Sequence, residues 1–154
     1  MEKGKVTVMG DILSEIHERF DTKGADIRTY SPLTLAYIGD AVYEIIIRTL
    51  IVERGQRSVE ALHKQTTRLV CAQAQSKLVM AVYERLSGEE QDIYRRGKNT
   101  KLHSTAKNAA LADYKRATGL EALCGFLFLE GKTQRLVQIV SEALELAGVD
   151  LYEI

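Results

Sequence analysis

Two apolar helical segments that each hold a carboxylate close to a glycine constrain this chain more than any other feature. The first is Leu35-Ala36-Tyr37-Ile38-Gly39-Asp40-Ala41-Val42-Tyr43-Glu44; the second is Ala117-Thr118-Gly119-Leu120-Glu121-Ala122-Leu123, with Gly125 one turn further on. A charge in an apolar setting is costly unless it is paired or binds a metal. A glycine inside a helix costs roughly 1 kcal/mol against alanine, so it calls for a reason such as close approach by a neighbour. The two patterns together predict that the helices cross near Gly39 and Gly125 and bring Asp40 and Glu121 toward one point. To share one Mg²⁺, whose bonds are ~2.1 Å, the carboxylate oxygens must lie within about 8 Å of each other.

Each acid also has a plainer reading. Asp40, Glu44 and Arg48 are spaced by four and share a helix face. They could form a solvated stripe with a Glu44–Arg48 ion pair. Thr118-Gly119-Leu120-Glu121 has capping-box spacing, so Glu121 could reach back to a backbone N–H at a helix start. Against that, the residues from Ala122 to Leu129 are all apolar or glycine, which predicts a helix buried nearly all round whose early charge needs a partner.

The chain reads as all-α. No run of alternating β-branched residues is bounded by hairpin turns. A short amphipathic helix is expected over 10–20, with Ile12, Leu13, Ile16 and Phe20 on one side, and a loop over 21–30. Ser31-Pro32 starts a long helix that runs to about Glu53. Further helices are expected over 58–75, 76–86, a stretch capped by Ser87 and ended by Gly97, 107–115, 118–129 and 133–146. Residues 98–106 read as a basic loop. The organisation is an N-terminal helix and loop (1–30), one domain (31–148) and a short tail (149–154).

At 154 residues and 45% hydrophobic content, one domain with a real core fits. His17, His63 and His103 sit in unrelated contexts, and Cys71 and Cys124 lack CxxC spacing. Zinc is therefore not expected, and two buried thiols are the simplest reading of the cysteines. There is no P-loop and no GxGxxG. The longest apolar stretch, Ile45 to Val52, is broken by Arg48, so no membrane span is expected. Met1-Glu2-Lys3-Gly4 leads into no signal-peptide core, which makes the cytoplasm the expected location.

Net charge is zero, but seven of the 21 Lys and Arg residues fall between 95 and 116. They are Arg95, Arg96, Lys98, Lys101, Lys107, Lys115 and Arg116, with Asp113 the one acid among them. Such a run can be a solvated face. It can equally meet a polyanion, because Gly97, Asn99 and Asn108 let the backbone approach phosphates and 2′-hydroxyls. Tryptophan is absent and aromatic interleaving is sparse, so recognition of a duplex backbone fits better than stacking on single strands.

The segment from Leu35 to Glu44 resembles the signature helix of the ribonuclease III catalytic domain. Glu121-Ala122-Leu123-Cys124-Gly125-Phe126-Leu127-Phe128-Leu129-Glu130-Gly131 resembles its second acidic helix. With Tyr94-Arg95-Arg96-Gly97-Lys98-Asn99 and Tyr114-Lys115-Arg116-Ala117-Thr118-Gly119 between them, the pattern is most similar to the short, Mini-ribonuclease III form of the family, over roughly 31–147. The resemblance implies a helical endonuclease bundle, an obligate homodimer, and Mg²⁺-dependent cleavage of double-stranded RNA to 5′-phosphate and 3′-hydroxyl ends, with Mn²⁺ as a substitute. It also implies maturation of precursor 23S ribosomal RNA, with a ribosomal protein on the substrate as a further partner to consider. No double-stranded-RNA-binding domain is expected after residue 148.

Asp40 and Glu121 match the family's acids and are expected as catalytic metal ligands. Arg95, Arg96, Lys98, Asn99, Lys101 and Lys107 are expected to hold RNA. The signature helix, through Tyr37, Ile38, Val42, Ile45 and Ile46, is the expected dimer seam. Two departures stand out: Ala36 and Thr118 occupy positions where full-length ribonuclease III usually has a glutamate and an aspartate. They put a second metal in question. They also motivate an alternative, a weak or inactive structural RNA-binding descendant; the zero net charge motivates another, a helical interaction module.

Overall fold

The computed structural model describes residues 11–101 and 109–151. Among these the chain is helical throughout, with no strand. The helices are α1 (Ile12–Phe20), α2 (Pro32–Glu53), α3 (Val59–Val70), α4 (Ala72–Val82), α5 (Gly88–Lys98), α6 (Ala109–Leu129) and α7 (Thr133–Leu146). Single 3₁₀ turns lie at Ile27–Thr29 and Tyr83–Arg85. No helix among the described residues is long and apolar enough to cross a membrane.

Local chemistry sets several boundaries. Ser31 accepts from the Thr34 N–H at 3.1 Å, with Pro32 in the first turn. Ser58 accepts from the Ala61 N–H at 3.1 Å. Ser87 and Glu90 form the reciprocal capping box expected from their spacing, at 3.1 and 2.8 Å. At the end of α6, Gly131 has φ +74° and the Lys132 N–H returns to the Leu127 carbonyl at 2.8 Å, closing the helix as a Schellman turn.

α6 is the central element. It packs most extensively on α2, then on α5 and α4. Leu123, Cys124 and Leu127 of α6 are fully buried against Tyr43, Ile47 and Ile51 of α2 and Leu78, Val79 and Val82 of α4. α7 closes the bundle with Leu136, Ile139 and Val140. α1 buries none of its residues; Ile12, Ile16 and Phe20 are exposed.

Several expectations are corrected. The segments 107–115 and 118–129 are not separate helices: α6 runs unbroken through Thr118 and Gly119. The Thr118 hydroxyl donates to the Tyr114 carbonyl at 3.0 Å, inside the helix, so no capping box forms there. Gly119 is held in the helix by contact, since a Cβ on it would lie 2.7 Å from the Tyr94 ring.

Gly97 likewise is not a stop. It lies inside α5, where a Cβ would fall 2.8 Å from the Ala122 Cβ. The break between the third and fourth helices comes at Cys71, not near residue 75. There the backbone is extended, and two buried side chains take up the carbonyls that the break leaves free. The Tyr43 hydroxyl donates to Leu69 O, and Gln75 Nε2 donates to Val70 O at 2.9 Å. The break also leaves Cys71 exposed, which corrects the expectation of two buried thiols; Cys71 and Cys124 are both free.

Candidate functional site

The α2–α6 crossing forms where the glycines predict it. A Cβ on Gly39 would run into the Glu121 carbonyl and lie 2.7 Å from Gly125 N. One on Gly125 would run into the Leu35 carbonyl and lie 3.0 Å from Ile38 Cγ2. The two backbones therefore touch, which only glycine permits. Because Gly39 abuts the backbone of Glu121, the next residue, Asp40, emerges beside the Glu121 side chain.

The two acids have different surroundings. Asp40 is exposed, whereas Glu121 is partly buried above Tyr43 and Cys124. Asp40 is close enough for its negative charge to act on the Glu121 carboxyl. Glu121 Oε2 accepts from Gln75 Nε2 at 3.2 Å. Burial, and then the negative charge of Asp40, push the Glu121 carboxyl up to about 7, while the Gln75 hydrogen bond pulls the other way. Two carboxylates in this position repel each other unless a proton or a cation lies between them.

The donor set is hard oxygen. No group of three or more His, Cys, Asp or Glu residues that could hold a metal occurs among the described residues. The residues fit a small divalent cation that keeps several waters and takes one or two carboxylates from the protein. The two departures supply no further charge. Ala36 is buried one turn before Asp40, and Thr118 is bonded within α6. The Glu44–Arg48 pair forms at 2.7 Å and Asp40 is exposed on the same face, as the solvated-stripe reading has it; what that reading leaves out is the charge of Asp40 acting on Glu121.

The expected RNA-binding residues cluster on the last turn of α5 and just beyond it. Gly97 presses that turn against Thr118, Gly119 and Ala122 of α6, the stretch that leads into and follows Glu121. Arg96, Asn99 and Lys101 are exposed and Lys98 is half-buried. Arg95 is held to the protein: Nη1 donates to the Tyr83 hydroxyl at 2.7 Å, and Nη2 lies 3.8 Å from Asp92. Lys107 lies outside the described residues. No ion pair joins these cations to Asp40 or Glu121 among the described residues.

Sequence reasoning missed two features. One is Gln75, 1% exposed, whose surroundings nothing in Ala72-Gln73-Ala74-Gln75-Ser76 reveals. The other is an open groove of about 680 Å³ on α3, where the cations Lys64 and Arg68 stand with Glu60 and His63. These cations are spaced around a helix and so form no dense run along the chain.

A family model described as the ribonuclease III domain matches residues 33–132. The chain is 43% identical over 122 residues to the Mini-ribonuclease 3 of Clostridium tetani, covering 79% of this chain and 81% of that one. It is 45% identical over 119 residues to the Mini-ribonuclease 3 of a Thermoanaerobacter species, covering 77% and 84%. A crystal structure of a protein from Fusobacterium nucleatum superimposes with a TM-score of 0.69 at 32% identity, covering 79% of this chain and 98% of that one.

Proposed function

The chain belongs to the ribonuclease III family and is an endoribonuclease, and from that premise we propose that Asp40 and Glu121 hold one Mg²⁺ per chain in a homodimer that cuts double-stranded RNA. The family acts on double-stranded RNA and works with a divalent metal ion. Mg²⁺ as that ion, with Mn²⁺ able to replace it, is part of the proposal, as is precursor 23S ribosomal RNA as the substrate in the cytoplasm. Residues 31–148 form the catalytic unit in this reading.

The observation that carries it is the glycine-to-glycine crossing of α2 and α6, which presses two carboxylates together in a setting that favours a cation. Ala36 and Thr118 leave only two acids, the donor set of one ion. When bound there, a divalent ion neutralises charge on the phosphate and makes a water nucleophile available near neutral pH. Asp40, the more exposed acid, orients the attacking water. Glu121, partly buried and held by Gln75, fixes the ion's position. Arg96, Lys98, Asn99, Lys101 and Lys107 hold the RNA backbone, and Arg95 does so from its fixed seat on Tyr83. The products carry 5′-phosphate and 3′-hydroxyl ends.

The dimer seam lies on the face of α2 that the bundle leaves open. Leu33, Tyr37 and Ile45 follow one another along this face, and Tyr37 is 82% exposed. Val42 is withdrawn from the seam, because it is buried in the chain's own core, and Ile38 and Ile46 are partly buried against that core. A two-fold axis there sets two sites across one duplex, one per strand.

The test is incubation with a precursor 23S stem and with an unrelated duplex, each with Mg²⁺ and with chelator. Metal-dependent cuts with 5′-phosphate ends, concentrated at one site in the stem, are expected. Retention of the RNA without cuts would return the chain to the binding-protein reading.

A further inference from the structure

Gln75 lies in the first turn of α4, just past the break at Cys71, and its backbone N–H closes on Cys71 O at 3.0 Å. The side chain is 1% exposed. Its Nε2 donates twice, to Val70 O at 2.9 Å and to Glu121 Oε2 at 3.2 Å, and its buried Oε1 has no hydrogen-bond partner among the described residues. A buried amide with an unpaired oxygen is costly; a leucine of similar size would remove that cost but would leave Val70 O and Glu121 without this donor. The amide therefore needs a compensating role.

Its two hydrogen bonds describe that role. One N–H is fixed by the last carbonyl of α3, a rigid backbone point. The amide plane is thereby set, and so is the direction from which the second N–H meets Glu121. One oxygen of Glu121 is tied to the protein interior by this bond, on a side chain whose carboxyl also feels the charge of Asp40. An arginine or lysine in this place would neutralise Glu121 and compete with a cation. A neutral amide orients the carboxylate and leaves its charge available.

From this geometry we infer that Gln75 is a positioning residue: it holds the Glu121 carboxylate at the angle at which Asp40 and Glu121 share a divalent ion. The inference rests on the reading of those two acids as metal ligands. Groups behind metal ligands that fix their orientation typically change affinity or activity by about 10–100-fold when removed.

The test compares the full chain with Gln75→Leu by Mn²⁺ titration followed by electron paramagnetic resonance, by kcat and KM on a duplex, and by duplex affinity without metal. The variant is expected to bind Mn²⁺ about 10–100-fold more weakly and to lose kcat, with KM and metal-free duplex affinity unchanged. A folded variant with wild-type Mn²⁺ affinity and kcat, and only a lower Tm, would overturn the inference and leave Gln75 as a cap on α3. A wild-type chain that binds no Mn²⁺ would overturn the acid-pair reading, and this inference with it. Should Gln75→Leu fail to fold, the Gln75 side-chain amide resonance of the wild type decides. It is expected to shift on Mg²⁺ titration with the midpoint of ion binding, and an amide unmoved at saturation would overturn the inference.

Discussion

The α2–α6 crossing and the cationic end of α5 lean on the same stretch of α6 but are built in opposite ways. At the crossing, backbones touch at Gly39 and Gly125, and Glu121 sits partly buried with a fixed hydrogen bond to Gln75. At the end of α5, only Gly97 is pressed into the bundle, while Arg96, Asn99 and Lys101 stand in solvent. Metal chemistry needs donors fixed to fractions of an ångström, whereas holding a phosphate backbone needs charge more than exact placement. The difference teaches that backbone contact and burial fix Glu121 where geometry must be rigid, and that charge is left exposed at the end of α5 where it need only be present.

Substitution at the crossing separates chemistry from binding most sharply. Asp40→Asn is expected to lower cleavage by at least ~100-fold, since removing a ligand should exceed the loss from its supporting groups. Dimerisation and duplex affinity should stay the same in sedimentation and gel-shift assays. A normal cleavage rate would remove Asp40 from the mechanism.

Gly39→Ala probes rigidity. Its methyl would run into the Glu121 carbonyl, so a loss of about 3 kcal/mol is expected, roughly 6–12 °C in Tm. The same change at Gly88, where a Cβ meets nothing within 4 Å, is the control. Equal thermal shifts at the two positions would mean that the crossing is looser than described.

Neutralising Lys98 and Lys101 tests the other region. The slope of log affinity against log salt should flatten by up to about 2, at ~0.9 per phosphate contact, with Tm almost unmoved. An unchanged slope would show that this end does not touch phosphate.

The smallest effect concerns charge inside the crossing. The Glu121 carboxyl is raised from 4.5 to about 7 in the folded chain. Between those values the folded chain holds the proton more strongly than the unfolded one. Its contribution to stability is therefore fully present below about pH 4.5 and is lost as pH rises through about 7. Glu121→Gln should accordingly be more stable than wild type in chelator at about pH 8, with the gap closing toward about pH 5. Mg²⁺ should then stabilise the wild type and not the variant. Thermal melts across this range that coincide would show that Asp40 and burial do not strain Glu121.

Much of this contrast is legible in the sequence because the crossing is written in local anomalies. Gly39 and Gly125 stand in helices where alanine would serve better, and each accompanies an acid in an apolar run of sequence, although of the two acids only Glu121 is partly buried and Asp40 is exposed. The serine caps at 31, 58 and 87 are equally plain, since capping depends on a few adjacent residues. Where the cause lies in another element, local pattern misleads. Thr118-Gly119-Leu120-Glu121 has the spacing of a helix start, yet Tyr94 packing on Gly119 keeps it mid-helix. The break at Cys71 carries no glycine or proline, and its free carbonyls are met by Tyr43 and Gln75. Gln75 reads like any polar helix residue until its partners are placed, and the α3 cations cluster only once the helix is wound.

The central claim is that Asp40 and Glu121 form one cation site, and anomalous diffraction from a Mn²⁺-soaked crystal tests it most directly. A single peak per chain between the two carboxylates, absent in Asp40→Asn, is the predicted result. A peak elsewhere in the chain, or none at a concentration that supports cleavage, would contradict it.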